Sequence, residues 1–433
     1  MRNESNWAGI LISDASDNVI GPNNVISGVT IGIFITENFG TESVVTQNNK
    51  ITGNFIGTKA DGSGAVANLE EGIRIENGAK NNIVGPNNII SGNKAPGVRI
   101  IGTGTEGNKI IGNLIGTDKS GKNPVPNGDG IAIEDGASKN YIGGSAPGLG
   151  NLIAFNSNVG IWLNSDSYVQ GNEISGHSQD GIFIVGSKNT IGGSEPGSRN
   201  FLHGNNNGIR TSHNADQNSI EGNYLGTDKK GESDQTNGYN GVALSSSYNL
   251  VKNNLISGYE HHGIYIQRWN TERPLPIGNR LEGNIIGMNA SETAAIPNQH
   301  GISINTAIGT IIYKNIIAGN QNDGIGISGQ FFTEDDDYHY SVNNLISQNS
   351  IYNNGQLGID LDLDGVTYND AESIPNEVNG GWDHDTDAGG NNHQNFPVID
   401  SIMFDLGSKT IYVEGYLKSN AYTQYTLEFF ASK

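Results

Sequence analysis

The chain repeats one short phrase, Gly-Ile-x-Ile or a close variant, from Gly9-Ile10-Leu11-Ile12 to Gly358-Ile359-Asp360-Leu361. Intermediate copies open at Gly32, Gly72, Gly97, Gly130, Gly160, Gly181, Gly208, Gly241, Gly263, Gly301 and Gly324. The 349 residues from Gly9 to Gly358 divide into 12 steps of about 29 residues. Self-similarity at such a period marks a solenoid, whose units bury their apolar faces only against one another.

One short step shows the internal order. Between Gly72 and Gly97 the chain runs Ile73-Arg74-Ile75, then Asn82-Ile83-Val84, then Asn88-Ile89-Ile90, with Asn, Gly, Pro and Lys between. The stretches alternate like strands and are too short for helices. In Gly-Ile-x-Ile the two aliphatics point to one side and x to the other, so each coil sends two large side chains inward and one outward. Asparagines at corners such as Gly53-Asn54, Gly112-Asn113, Gly171-Asn172, Gly222-Asn223 and Gly283-Asn284 tolerate left-handed backbone and can hydrogen-bond up a stack. The pattern predicts an all-β, single-stranded right-handed parallel β-helix solenoid of about 13 coils over residues 1–395. A short C-terminal β segment over 396–433, with Thr410 to Leu417 alternating, is expected to begin a cap over the open end or a following domain.

Glycine supplies 62 of 433 residues, which turns after every strand explain. The formal charge of −21 makes nucleic acid and anionic membranes poor partners, and it weighs against a polyanionic sugar unless cations mediate. Cysteine is absent, so no disulfide framework informs compartment, and no run of 18 apolar residues exists, so membrane insertion is not expected. Met1 leads almost directly into a coil and reads as an excised boundary rather than a native beginning.

The phrases Gly53-Asn54-Phe55-Ile56-Gly57-Thr58, Gly112-Asn113-Leu114-Ile115-Gly116-Thr117-Asp118 and Gly222-Asn223-Tyr224-Leu225-Gly226-Thr227-Asp228 resemble the repeat of bacterial secreted β-helix proteins of the pectate-lyase-like superfamily. Asn140-Tyr141-Ile142-Gly143-Gly144 and Thr190-Ile191-Gly192-Gly193 are similar to it too. The resemblance spans nearly the whole chain. It implies an extracellular or bacterial cell-surface setting and a polysaccharide or cell-surface glycan as partner, with a substrate cleft floored by the Gly-Ile-x-Ile sheet. It leaves activity open, since one fold carries many functions.

Four inserts, starting at Gly57, Gly116, Gly226 and Gly287, follow the third strand of their coils and are expected to stack as a wall of that cleft. The x column offers candidate substrate-binding residues in Trp162, Phe183, Arg210 and Tyr265, because aromatic faces suit sugar rings and a guanidinium is a rigid fork of donors. Two excursions leave the opposite edge, Gln267 to Pro276 and Gln330 to Tyr340, and the first adds Arg268 and Trp269 to the binding candidates. Residues preceding the strand-opening glycines supply the catalytic candidates Asp180, His262, His300 and Asp323, histidines beside carboxylates being suited to acid/base work. Glu76 and Glu134, at matching positions two coils apart, are a second carboxylate arrangement, in phrases that read as structural turns.

Asp360, Asp362 and Asp364, followed by Gly365 and Asp370, resemble the first half of a calcium loop, although the twelfth position is Ala371 rather than glutamate. A structural calcium ion is therefore expected there. The functional expectation is a polysaccharide-engaging protein, with glycoside hydrolysis or polysaccharide lysis as candidate activities. The competing reading is a non-catalytic adhesin or stalk whose repeat sets length alone.

Overall fold

A computed structural model describes residues 7–37, 45–164, 166–235, 237–332, 337–366, 369, 389–417 and 424–428. Three long sheets run the length of the repeat. The first sheet takes the Gly-Ile-x-Ile strands in chain order, from Ala8–Ser13 through Asp180–Ile184 and His262–Gln267 to Ile359–Leu361. The second and third sheets each hold 12 strands, one from each of the 12 coils that precede the last first-sheet strand, Ile359–Leu361. Neighbouring coils pair in parallel with matching register, for example Ile73 with Val98 and Ile75 with Ile100. The chain is thus an all-β parallel solenoid, and none of its described helices is long and apolar enough to cross a membrane.

The register follows from sterics at the repeated glycine. A Cβ on Gly72 would lie 2.6 Å from the carbonyl oxygen of Gly97 in the next coil and 2.9 Å from Cγ2 of Ile90. Real Cβ atoms do not approach so closely, so only glycine lets the coils meet there. The following aliphatics then stack inside: Ile73, Ile75, Val98, Ile100, Ile131 and Ile133 are fully buried and belong to one continuous column. Burial of each such side chain contributes about 1.5–3 kcal/mol.

Asparagine ladders complete the coils. One runs unbroken from Asn24 through Asn54, Asn88 and Asn113 to Asn349, each rung after the first accepting at Oδ1 from the coil before. Asn113 is typical, its amide donating to the Val84 carbonyl at 2.9 Å and to Asn151 Oδ1 at 3.0 Å. A second ladder includes Asn49, Asn82, Asn108 and Asn140, and a third Asn68, Asn93, Asn127 and Asn156. Buried corner backbone thereby finds partners without water.

The four inserts fold mainly onto the third sheet rather than along the first, although the one that opens at Gly226 ends at Tyr239, beside the first sheet. Each closes as a small hairpin, with bridges Thr58 to Ala65, Thr117 to Pro124, Thr227 to Asp234 and Met288 to Ala295. The tips of the first three lie on the outer face of the third sheet: Gly62 against Phe55 and Ile89, Gly121 against Leu152, Gly231 against Leu255 and Tyr224. That face carries Phe55, Ile89, Leu114, Leu152, Tyr224 and Leu255, and covering it removes hydrocarbon from water. The Gly-Thr-Asp phrase is accordingly a turn, in which Asp118 Oδ1 accepts from Ser120 Oγ at 2.7 Å and from the amides of Ser120, Lys122 and Asn123. Those bonds hold its carboxyl well below the usual range.

After Ile359–Leu361 the Asn391 side chain extends one ladder, its Oδ1 accepting from the Asn344 amide at 2.9 Å. The final hairpin, Val398–Asp405 with Thr410–Tyr416, leaves Ile402, Phe404 and Tyr412 exposed. Residues 389–393 pack against the last coils, and Glu428, farther along the C-terminal segment, accepts from Ser347 Oγ and from the Gln348 amide.

One rung of the third ladder is a histidine. His177 is buried; its Nδ1 accepts from the Asn156 amide at 3.1 Å and its Nε2 faces the Ile153 carbonyl at 3.1 Å, so the ring copies asparagine only in part. Asn156 Nδ2 is left buried without a partner. Burial pushes His177 down to about 4. Below pH 6.5 the unfolded chain takes a proton that the folded chain refuses, so stability falls as pH drops towards 4, by about 3 kcal/mol. His177→Asn should restore the rung and remove this acid sensitivity. Denaturant unfolding at pH 7 and pH 4 should show the variant's advantage growing as pH falls; an equal difference at both values would contradict it.

Candidate functional site

Strand register sets two columns side by side on the first sheet. Phe183, Arg210, Ala243 and Tyr265 pair in order at the x position. Asp180, Asn207, Asn240, His262 and His300 pair in order before the strand-opening glycines. Ala243 is a short side chain between two long ones, and the floor dips there. The resulting cavity holds about 500 Å³.

Its walls come from the two strand edges. Gln179, Asn206 and Tyr239, just ahead of their strands, form one side, while Ser245, Gln267 and Trp269 form the other. Trp269 belongs to the first long excursion and is 58% exposed, with its Nε1 donating to Ser245 Oγ at 2.6 Å. Tyr239 is also exposed and stacks on His261 with ring centroids 4.1 Å apart. Two aromatic side chains thus flank a floor carrying a third, Tyr265.

Charges in the cavity are satisfied internally. Arg210 bonds Asp180 Oδ2 through Nε at 2.8 Å and Nη2 at 2.6 Å, and its guanidinium lies 4.0 Å from the Phe183 ring centroid. Asn207 Nδ2 donates to Asp180 Oδ1 at 2.8 Å, and Asn240 Nδ2 donates to Asn207 Oδ1 at 3.0 Å. Asn240 Oδ1 meets His262 Nδ1 at 2.9 Å. His262 stacks on Tyr265 at 4.5 Å and on His300 at 5.5 Å. Burial, with His300 and His261 close by, pushes His262 down to about 3. Burial also raises the Tyr265 phenol.

Of the expected site residues, the cavity brings together Asp180, His262, Arg210, Tyr265 and Trp269. Trp162 and Phe183 lie beside it, packed edge to face at 4.8 Å, with Phe183 already covered by Arg210. Arg268 is turned into its own loop, donating to the carbonyls of Arg273 and Thr271. His300 and Asp323 continue the ladder beyond the cavity, with His300 Nδ1 at 3.3 Å from Asp323 Oδ2, and both are largely shielded from solvent. The alternative pair is occupied as well: Glu76 bonds Arg74 at 2.5 Å, and Glu134 bonds Arg99 at 2.6 Å.

Around the expected calcium loop, Asp360 is buried and its carboxyl is pushed up by desolvation and by the neighbouring Asp323. Asp362 pairs with His393 and accepts from the Gly390 amide at 2.9 Å. Asp370 lies outside the described residues, and among those described no three acidic or histidine side chains converge as a metal set.

The family description "Right handed beta helix region" matches residues 159–333, the stretch that builds the cavity. By fold the chain is a right-handed parallel β-helix. Solved structures that align with it include the A-module of an Azotobacter vinelandii mannuronan C-5 epimerase, at 14% identity and TM-score 0.44, covering 82% of this chain and 90% of that one. A periplasmic alginate epimerase aligns at 15% identity and TM-score 0.42, over 76% of this chain and 78% of its own. The Dettilon tailspike protein aligns at 15% identity and TM-score 0.41 over 72% of this chain, which spans 62% of the tailspike.

Gln179, Asn206, Tyr239, Ser245 and Gln267 are not site candidates by sequence alone. The signal that could have found them is Ala243, a small residue flanked in register by Arg210 and Tyr265. For His262, burial predicts a ring that stays neutral through the ordinary acid range. Histidine resonances followed by NMR from pH 8 to pH 4 should leave His262 unchanged; a midpoint near the ordinary value of about 6.5 would contradict its placement.

Proposed function

We propose that the cavity on the first sheet is a binding cleft for a neutral glycan. The observation that carries this reading is its lining: aromatic faces from Tyr239, Tyr265 and Trp269, amides from Gln179, Asn206 and Gln267, and, among the described residues, no uncompensated charge. Aromatic rings cover the apolar faces of sugars, and amides supply paired donors and acceptors for hydroxyls. A uronate would need a free cation, and the one guanidinium among the described lining residues is bonded twice to Asp180. The −21 charge of the chain adds long-range repulsion for a polyanion. A cell-surface or extracellular polysaccharide would present such neutral segments to an elongated protein.

Hydrolysis is disfavoured because it requires two carboxylates flanking the scissile bond. Asp180 is the sole carboxylate among the described lining residues and is committed to Arg210 and Asn207. A second reading, proton transfer as in lysis, draws support from the neutral imidazole of His262 stacked on the Tyr265 phenol. The two readings separate in one assay.

A panel of neutral and uronic oligosaccharides, measured by calorimetry and by release of reducing ends or unsaturated products, tests both. The expected result is binding of a neutral member without product. Trp269→Ala and Tyr265→Ala should each weaken it about tenfold or more, the loss of roughly 1.4 kcal/mol of aromatic contact. Binding confined to uronates, or unaffected by both substitutions, would overturn the neutral-glycan reading; unsaturated product would favour proton transfer.

A further inference from the structure

We infer that Asp180 sets the hydrogen-bonding polarity of the cavity floor through a one-way chain of side chains, fixing His262 as the Nδ1–H tautomer with Nε2 kept as an acceptor for a sugar hydroxyl. For its ligand this rests on the glycan reading above, but its chemistry stands on the bonds themselves.

A carboxylate can only accept, so the group facing Asp180 Oδ1 must be the NH2 of Asn207, at 2.8 Å. That choice turns the Asn207 carbonyl oxygen to the next coil, where Asn240 must answer with its own NH2, at 3.0 Å. The Asn240 oxygen is then the group that meets His262 Nδ1 at 2.9 Å, and the imidazole has to supply the hydrogen. Each amide is oriented by its predecessor, and the sequence of orientations has a single source. Reversing any one of them would set two oxygens or two NH2 groups against each other, a clash of like dipoles in a buried row. Arg210 holds the head of the chain by gripping the other oxygen, Asp180 Oδ2.

The far end has a functional consequence. A neutral imidazole carries one hydrogen, so with Nδ1 protonated Nε2 keeps its lone pair. His262 lines the cavity, and among the described residues no group bonds its Nε2. Tyr265 and His300 stack on the ring and hold its plane. The cavity therefore offers an oriented acceptor that a sugar hydroxyl can satisfy and an ether or deoxy position cannot. Asp180, Asn207 and Asn240 are positioning residues in this scheme.

Histidine-selective 15N NMR on the full chain reads the tautomer directly and needs no glycan. His262 should show a protonated Nδ1 and an unprotonated Nε2 at pH 7. Asp180→Asn replaces the carboxylate by a group of similar shape that can also donate, and it should let the Nε2–H form grow in; Asn240→Leu should do the same by cutting the chain. A His262 protonated at Nε2 in the parent protein, or a tautomer unchanged in both variants, would overturn the inference. The parent spectrum decides if a variant fails to fold. With the parent tautomer as expected but no neutral glycan bound, the glycan reading fails and the chain stands; glycan binding with the opposite tautomer fails the chain alone.

Discussion

Everything in this molecule depends on how closely one coil can approach the next. The strand-opening glycine is the contact point, since a side chain on Gly130 would sit 2.4 Å from the carbonyl of Gly160, and one on Gly160 would sit 2.5 Å from that of Gly181. With those glycines in place the coils lock in register, and residues at equal positions become vertical columns. Aliphatics then make a continuous core, asparagines make ladders, and outward residues of distant sequence become neighbours. The cavity's polar row exists because Asp180, Asn207, Asn240 and His262, drawn from four separate coils, stand in one such column.

Most of the fold could be read from the repeat because sterics and burial act on each coil alike. Gly-Ile-x-Ile showed which residues face in, and Gly-Asn corners, as at Gly112-Asn113, announced one of three ladders. What the repeat could not show was where an insert would fold. The hairpins at Thr58, Thr117 and Thr227 turn onto the third sheet because Phe55, Leu114, Tyr224 and Leu255 present an apolar outer face there, a tertiary consequence invisible to spacing alone. The site was legible in part for the same reason. Tyr265 and Arg210 were found by their outward position, yet whether an outward residue is free depends on its neighbours in space. Arg268 is spent on its own loop and Phe183 on Arg210. The most telling residue, Ala243, carries no chemistry and matters by what it fails to fill.

The electrostatics follow a consistent division. Guanidiniums on the first sheet are paired with carboxylates, Arg74 with Glu76, Arg99 with Glu71 and Glu134, Arg210 with Asp180. Histidines within the stack are held neutral by burial, His177 as a ladder rung and His262 at the end of an amide chain. An acidic chain thus presents a local patch without net charge, made of rings and amides, and that patch is what suits an uncharged hydroxylated ligand.

The most direct test of this account is a crystal structure of the protein with a bound neutral oligosaccharide. The account predicts sugar rings lying across Tyr265 between Trp269 and Tyr239, with a hydroxyl on His262 Nε2. Density elsewhere, for instance beside Glu173 and Phe201 on the third sheet, with the cavity empty, would contradict it.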